Sequence, residues 1–287
     1  MPIVELPTVI RAAVWWNKHG FMGRGAVPRA IGRRWNGEEL YIATKHNGIL
    51  LLDMQHLDMY ATILNGGGTW EPHVMDTCAS VLRSGDVYYD IGANTGLFSI
   101  DAGVSIPDLK IYAFEPQPGL AECIRRSAQV NNLSDIECLE ILVGREDGVQ
   151  KLYLTSHSIH ASLSPRENHY QELVRPMCTL DSLLGSGRVR APDVIKVDVE
   201  GAELMVFQGA AAMLKKHTPS VVFEADENMA RMDVKTQDLF DSLGHAAPYE
   251  FFLIEPDGGL MSVSRGSKLG NYLALSPRHR DRLQSRE

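Results

Sequence analysis

The sequence contains little cysteine and no long apolar run, and each shortage excludes a class of protein. None of its four cysteines, Cys78, Cys123, Cys138 and Cys178, stands in a C-x-x-C pair. Thiols in such apolar or helical contexts are typical of buried, unpaired cysteines in a reducing compartment, so we expect a cytoplasmic protein. No apolar stretch reaches the length that crosses a bilayer, which predicts a chain without a membrane span. The N-terminus lacks the apolar core of a cleavable signal peptide.

Basic residues are too few to dominate the charge of the chain. It carries 28 Lys and Arg against 36 Asp and Glu, a formal net charge of -8. A net acidic protein has no general attraction to polyanions, so nucleic-acid binding would need a local basic patch. The basic residues at 24–34 and from Arg278 onward are scattered, and we interpret them as solvated surface. We therefore expect no nucleic-acid partner.

The rest of the composition is that of an ordinary globular protein, with 44% hydrophobic and 22% charged residues over 287 positions. Residues 1–68 are irregular apart from two short strands in "ELYIAT" and "GILLLDM", and we interpret them as an N-terminal cap. From Thr69 the pattern changes, which places the main domain at 69–276 and leaves a C-terminal tail at 277–287.

Strand patterns alternate with helix patterns through the main domain. Short apolar runs suited to buried parallel strands occur in "DVYYDIG", "LKIYAFEP", "DIECLEILVG", "APDVIKVDVEG" and "SVVFEAD". Amphipathic helices are predicted between them, as in "PGLAECIRRSAQVNNL" and "AELMVFQGAAAMLKK". This alternation predicts an α/β fold with a mostly parallel sheet. The late stretch "YEFFLIEPDGGLMSVS" predicts an antiparallel hairpin, and "NYLALSP" predicts a last strand.

The stretch "VYYDIGANTGLFSI" has a strand, a glycine-spaced turn and the start of a helix. Gly92 and Gly96 allow a sharp turn and a close approach to a ligand, but Asp90 stands where a dinucleotide fingerprint has its first glycine. Glu115 ends the next strand, where a carboxylate can accept hydrogen bonds from ribose hydroxyls. Asp90 would repel a pyrophosphate, so the pair favours a nucleoside without phosphate, such as S-adenosylmethionine.

Two other interpretations of this motif remain open. The turn can be a strand-to-helix joint that binds nothing. A nicotinamide cofactor is a weaker competitor, because the first glycine of its fingerprint is missing.

The strings "DVYYDIGANTGLFSI", "IYAFEPQPGL", "TLDSLL" and "DVIKVDVEGAELMVFQGAAAMLK", followed by "SVVFEAD" and "NYLALSP", resemble the FkbM-type S-adenosylmethionine-dependent methyltransferases in their order. The resemblance covers roughly residues 69–276, and "IKVDVEGAE" is its most specific part. It implies a class I methyltransferase fold with a seven-stranded, Rossmann-like sheet and S-adenosylmethionine as methyl donor. Members typically methylate hydroxyl groups of natural products or sugars.

The resemblance also implies which residues bind the cofactor. The glycine turn would line the methionine end, Glu115 would hold the ribose, and the segment around Leu142 would flank the adenine. Asp198 would lie close to the sulfonium and the acceptor. The full implied set is Asp90, Gly92, Ala93, Asn94, Thr95, Gly96, Glu115, Pro116, Leu142, Val143 and Asp198. Asn94 can alternatively serve only to tolerate an unusual backbone conformation, and Leu142 and Val143 can be plain core.

Methyl transfer to a hydroxyl needs a group that takes the proton, and Asp198, after the fourth strand, is the first candidate. Lys196 shares its side of the strand by alternation and is expected to pair with a carboxylate such as Asp198 or Glu224. Glu200 is expected in the first turn of the following helix, where a carboxylate is favoured. Glu203 is expected to face solvent.

Two further hypotheses concern the chemistry. Asp198, Glu224 and Asp226 lie at the ends of neighbouring strands and are candidate ligands of a Mg²⁺ ion, against the alternative of a solvated acidic loop. His157 and His160 lie in the polar loop "SHSIHASLSP" and are candidate general bases, although loop histidines are more often solvated.

The sequence therefore predicts an S-adenosylmethionine-dependent O-methyltransferase that acts on a small-molecule or sugar acceptor. The acceptor pocket is expected from residues around 1–70, 155–175 and 228–250. An enzyme that methylates nitrogen, RNA or protein is one alternative. A non-catalytic nucleoside-binding protein on the same fold is another.

Overall fold

The computed structural model describes residues 6–20, 25–155, 161–162, 169–266 and 268–284. Its helices are α1 Thr8–His19, α2 Ala26–Gly32, α3 Leu57–Asn65, α4 Pro72–Val81, α5 Leu97–Ser105, α6 Pro118–Val130, α7 Leu180–Gly185, α8 Glu203–Gln208, α9 Ala211–His217, α10 Thr236–Ala246 and α11 Arg280–Gln284. Its strands are β1 Tyr41–Ala43, β2 Ile49–Leu51, β3 Val87–Ile91, β4 Lys110–Phe114, β5 Ile136–Leu139, β6 Leu142–Val143, β7 Gly148–Thr155, β8 Ala161–Ser162, β9 His169–Cys178, β10 Val194–Val197, β11 Ser220–Ala225, β12 Glu250–Ile254, β13 Leu260–Val263 and β14 Gly270–Leu275.

The central sheet has eight strands in the order β13-β12-β14-β11-β10-β3-β4-β5. The five strands from β11 to β5 run parallel, and β14, β12 and β13 complete the sheet in antiparallel pairings. The predicted α/β fold with a mostly parallel sheet and a C-terminal hairpin is confirmed. The sheet has one strand more than the expected seven, because both arms of the hairpin join it while β14 inserts between β11 and β12.

Both faces of the central sheet are covered. All five residues of β3 are buried, and neighbours along the strand point to opposite faces. Tyr89 belongs to the core on one face and Tyr88 to the core on the other. Such two-sided burial explains why the parallel strands are continuous apolar runs in the sequence.

A second sheet, in the order β6-β9-β7-β8, was not expected. The predicted strand "DIECLEILVG" is divided into β5, which joins the central sheet, and β6, which pairs with β9. The expected acceptor loop at 155–175 is wrong in part, because residues 169–175 are in β9 and pair with β7. Pro176 and the exposed Val174 in β9 weaken the strand pattern, which hid it from the sequence.

The N-terminal residues share a core with the central sheet. Side chains of α1 and α3, among them Ile10 and Ile63, belong to the same apolar cluster as Tyr88 of β3. The β1–β2 hairpin is tied to α6, since Leu51 N donates to Ser127 Oγ at 2.9 Å. The described residues of the cap assigned to 1–68 therefore pack as part of the body that carries the sheet.

The C-terminal tail also packs closely. Arg282 Nη2 donates to Asp86 Oδ1 at 3.2 Å, and both side chains are mostly buried. His279 is 1% exposed, and its Nδ1 lies 2.9 Å from Ser220 Oγ. The interpretation of this tail as solvated surface is wrong for Arg282, whose partner lies 196 positions away in the sequence.

The cysteines and the helix lengths bear on two expectations from composition, in the part of the chain that the structure describes. The four cysteines are free thiols there, and Cys78 and Cys123 are buried. Within the same ranges, the helices are all too short or too polar to cross a membrane.

Gly92 and Gly85 form a matched pair for testing how closely the turn after β3 approaches the backbone at Asp198. Both have positive φ angles, 80° and 84°. A Cβ on Gly92 would lie 1.9 Å from the carbonyl oxygen of Asp198, whereas a Cβ on Gly85 would have nothing within 4 Å. We expect Gly85→Ala to lose roughly 1–2 kcal/mol from the left-handed backbone alone, and Gly92→Ala to lose about 1–3 kcal/mol more from the clash. Urea unfolding midpoints measure both losses, and equal losses would contradict the close approach.

Candidate functional site

A cavity of about 240 Å³ opens at the carboxyl ends of the parallel strands. One water needs only roughly 10–15 Å³ of such space, so the cavity has room for a molecule of many atoms. Residues that end or follow four strands lie in its wall: Ile91 at the end of β3, Phe114 and Glu115 at the end of β4, Asp198 after β10, and Glu224 and Asp226 around the end of β11. In open α/β sheets this is the edge where ligands bind.

The glycine turn that follows β3 forms one side of the cavity. Gly92, Asn94 and Gly96 all have positive φ angles, of 80°, 52° and 79°. Gly92, Ala93, Asn94 and Thr95 lie in the wall, whereas Gly96 lies behind it, where a Cβ would come within 2.7 Å of Ile124. Asn94 has the unusual backbone that it was expected to tolerate. Its Oδ1 is also buried without a hydrogen-bond partner among the described residues, which leaves an acceptor for a ligand.

Glu115 lies beside this turn and is 3% exposed. Its Oε2 accepts from Asn94 N at 2.9 Å and its Oε1 from Gln117 N at 2.9 Å. Burial raises the pKa of this carboxyl to about 7, although the two backbone N–H groups act in the opposite direction. Each oxygen retains a second acceptor position, which is what a pair of ligand hydroxyls requires. Pro116 lies next to it in the wall.

Asp90 does not lie in the cavity wall. It is 0% exposed, and its Oδ2 accepts from Ser99 Oγ at 2.7 Å. Its Oδ1 is 4.0 Å from Lys196 Nζ. Burial raises the pKa of Asp90, while the charge of Lys196 opposes that rise. The structure therefore places this carboxyl beneath the cavity wall, against a lysine, and the direct cofactor contact expected from the sequence stays a prediction.

Lys196 and Asp198 point to the same side of β10, as the strand alternation predicts. Lys196 Nζ donates to Asp198 Oδ2 at 3.0 Å and lies 4.4 Å from the centre of the Phe98 ring. Burial alone would lower the pKa of Lys196, but the carboxylates of Asp198 and Asp90 outweigh it and raise that pKa. The lysine is therefore a cation, and it holds Asp198 beside the cavity.

Further carboxyls face the same space. Glu71, Glu200, Glu224 and Asp226 lie in the wall together with Asp198. Burial raises the pKa of Glu224 to about 9, and the negative charges of Asp198, Glu71, Asp226 and Glu200 add to the rise. Within the described ranges, no three His, Cys, Asp or Glu side chains are arranged to hold a metal ion. The proposed Mg²⁺ ligands share one cavity, and the Mg²⁺ site itself stays a prediction.

The expectations for Glu200 and Glu203 are both wrong. Glu200 precedes α8 in a turn with φ of 57°, and its Oε2 accepts from Asn228 Nδ2 at 2.8 Å. Glu203 is 1% exposed instead of facing solvent. Its Oε1 accepts from Val199 N at 2.9 Å and from Gly201 N at 3.3 Å, so it holds the turn that follows Asp198. Burial raises its pKa to about 8.

Apolar side chains from two parts of the chain line the cavity. Leu142 and Val143 of β6 lie in the wall and are 8% and 6% exposed, so they are both cavity lining and core. Met59, Ile63 and Trp70, in α3 and the loop after it, also lie in the wall. The sequence predicted a contribution from residues 1–70 but did not single out these three side chains. His157 and His160 lie outside the described residues.

The chain is similar in sequence to known methyltransferases. A family model described as the methyltransferase FkbM domain matches residues 90–251. Methyltransferase sdnD from Sordaria araneosa is 31% identical over 168 residues, which is 47% of this chain and 64% of that protein.

Two other relatives have more specific names. The 31-O-demethyl-FK506 methyltransferase FkbM from Streptomyces tacrolimicus is 23% identical over 45% of this chain and 60% of its own length. The hexuronic acid methyltransferase AglP from Haloferax volcanii is 27% identical over 52% of this chain and 59% of its own length. The chain thus spans 59–64% of the length of these three relatives.

Glu203 makes stability depend on pH with a defined sign. Its pKa is about 8 in the folded protein, above the ordinary value of 4.5. Between these pH values the folded protein binds a proton that the unfolded chain has released, so stability falls as pH rises from about 4.5 to 8, by up to roughly 1.4 kcal/mol per pH unit. Glu203→Gln resembles the protonated form and is expected to reduce this slope.

Urea unfolding midpoints between pH 5.5 and 8.5 measure the effect as the difference between wild type and variant. Glu227→Gln, at an exposed position, is the matched control and should keep the wild-type slope. A Glu203→Gln protein with an unaltered slope would show that Glu203 does not hold its proton in the folded state.

Proposed function

Because the chain belongs to the FkbM methyltransferase family, we propose that it is an S-adenosylmethionine-dependent O-methyltransferase acting on a hydroxyl group of a small-molecule natural product or a sugar. The observation that carries the proposal is the composition of the cavity. One side offers buried acceptors for a nucleoside at Asn94 and Glu115, and the other is lined by carboxyls around Asp198. Such a cavity suits a ligand that combines a ribose with positive charge and has no phosphate.

The residues in the wall fit this cofactor in the order that the family resemblance implies. The free acceptor positions on Glu115 match the two ribose hydroxyls, and the orphaned Oδ1 of Asn94 can accept from the ligand. Leu142 and Val143 offer an apolar surface to the adenine. Asp90 contributes indirectly, through Lys196, because it lies beneath the wall.

Asp198 is the proposed general base. When bound, S-adenosylmethionine supplies a methyl group that its sulfonium has already activated. Asp198 would accept the proton of the acceptor hydroxyl while the methyl group leaves sulfur for oxygen, so that the products would be S-adenosylhomocysteine and a methyl ether. Lys196 orients Asp198 through its 3.0 Å contact. Glu203 holds the turn that begins at this carboxylate.

The names of two relatives support an oxygen acceptor on a small molecule. One name specifies methylation at an oxygen, 31-O, and the other specifies a hexuronic acid as the acceptor. The net charge of -8 disfavours RNA as the acceptor.

Calorimetric titration with S-adenosylmethionine and S-adenosylhomocysteine tests the cofactor half of the cavity. We expect Glu115→Ala to weaken binding by roughly 10–100-fold, because hydrogen bonds to a charged group are worth about 1.5–3 kcal/mol. Glu146→Ala is the control, since that side chain is 68% exposed and lies outside the wall. Unaltered affinity in Glu115→Ala would remove the ribose assignment. Repeating the titration with Mg²⁺ and after EDTA tests the Mg²⁺ hypothesis.

Asp198→Asn is expected to lower turnover by roughly 10²–10⁴-fold, the range for a lost general base, with a smaller effect on cofactor affinity. Methyl transfer from labelled S-adenosylmethionine to a panel of hydroxylated small molecules and sugars provides the assay. Equal losses in turnover and affinity would place Asp198 in binding and not in chemistry. Tight cofactor binding without turnover on any acceptor would favour the non-catalytic alternative.

A further inference from the structure

The cavity has two apolar walls that belong to different parts of the core. Leu142 and Leu152 pack in a small cluster under the second sheet. Ile63, Trp70 and Phe98 belong to the large cluster that joins the N-terminal helices to the central sheet. Because the first wall lies beside the proposed nucleoside site, the second wall is left for the acceptor. We call the second wall, formed by Met59, Ile63, Trp70, Glu71 and Phe98, the acceptor wall.

Most of the acceptor wall lies outside the segment that defines the family. The family match begins at residue 90, whereas Met59, Ile63, Trp70 and Glu71 precede it. The cofactor-binding turn and Asp198 lie inside the match. The acceptor wall can therefore give this chain an acceptor specificity that differs from that of other family members.

The charged side chains around the acceptor wall are mostly acidic. Glu71, Asp198, Glu200, Glu224 and Asp226 line the cavity there. In the described part of the chain, the sole basic side chain of the lining is Lys196.

The charge of Lys196 is already balanced by two carboxylates, since its Nζ lies 3.0 Å from Asp198 and 4.0 Å from Asp90. An anionic group would therefore meet the carboxyls of Glu71, Glu224 and Asp226 in a partly desolvated space. Like-charge juxtaposition of this kind costs several kcal/mol.

Glu71 is the member of this cluster that the acceptor wall contributes. Its Oε1 accepts from Asn271 Nδ2 at 3.1 Å, and an amide brings no positive charge to offset the carboxylate. Burial and the nearby Asp198 raise the pKa of Glu71.

We propose that the acceptor is an uncharged or cationic hydroxyl compound with an apolar face, that Trp70 contacts this face, and that Glu71 excludes anionic acceptors. The inference rests on the proposed methyltransferase function. It separates this chain from the relative named for hexuronic acid, which is an anion at neutral pH.

Three matched glycosides test the proposal on the full chain saturated with S-adenosylhomocysteine at pH 7 and low salt. Phenyl β-D-glucoside is neutral, phenyl 2-amino-2-deoxy-β-D-glucoside is cationic, and phenyl β-D-glucuronide is anionic. Titration calorimetry is expected to show that the first two bind at least about tenfold more tightly than the glucuronide, which corresponds to roughly 1.4 kcal/mol.

Variants assign the discrimination to residues. Glu71→Gln is expected to reduce the glucoside-to-glucuronide affinity ratio by at least about threefold, because it removes one negative charge and keeps the shape. Trp70→Ala is expected to weaken all three glycosides by similar factors, since it removes apolar contact only. Glu146→Gln, a surface control, should keep the wild-type ratios.

Three outcomes would overturn the inference. The first is glucuronide binding that is as tight as glucoside binding. The second is an unchanged glucoside-to-glucuronide affinity ratio in Glu71→Gln. The third is the absence of binding by any glycoside while S-adenosylhomocysteine still binds. In these cases the methyltransferase proposal stands and the acceptor class is wrong. Failure of wild type to bind S-adenosylhomocysteine would instead overturn the proposed function, and this inference with it.

Discussion

The buried ion network of Asp90, Lys196 and Asp198 joins the two central strands of the sheet to the cavity. Lys196 leaves β10 and lies between a carboxyl beneath the wall and a carboxylate within it, at 4.0 Å and 3.0 Å. A single buried charge of this kind is strongly unfavourable, whereas a set of opposite charges in contact is tolerated. Each member therefore depends on the others, and the position of Asp198 follows from the sheet rather than from a loop.

Carboxyls dominate the charge of the rest of the cavity. Glu71, Glu224 and Asp226 lie in the wall with Asp198, and Lys196 is the sole basic side chain of that wall in the described part of the chain. Burial and the neighbouring negative charges raise the pKa of Glu224 to about 9. A cationic ligand would oppose that rise, because its charge stabilises the carboxylates. The acidic wall is thus complementary in charge to the positively charged cofactor that we propose.

Local patterns in the sequence predicted the structural features that depend on residues close together in the chain. The apolar run of β3, the carboxylate at the end of β4 and the alternation that pairs Lys196 with Asp198 all follow from short-range geometry. The solvent-facing expectation for Glu203 failed because its hydrogen bonds go back to Val199 and Gly201, in a turn that delays the start of α8. Glu71 was missed because its partner, Asn271, lies 200 positions away. No spacing rule relates two such residues before the chain has folded.

Gly92 shows how the turn proposed to hold the cofactor and the carboxylate proposed as the base are positioned together. Its N–H donates to the carbonyl of Phe114 on β4, while its bare Cα faces the carbonyl of Asp198 on β10. A side chain on Gly92 would meet that carbonyl at 1.9 Å, so the absence of one allows the strand ends to approach each other. The turn that would hold the cofactor and the residue that would accept the proton are therefore fixed by the same contact. A change that moves the turn must also move Asp198, which explains why glycine is required at a position that contributes no chemical group of its own.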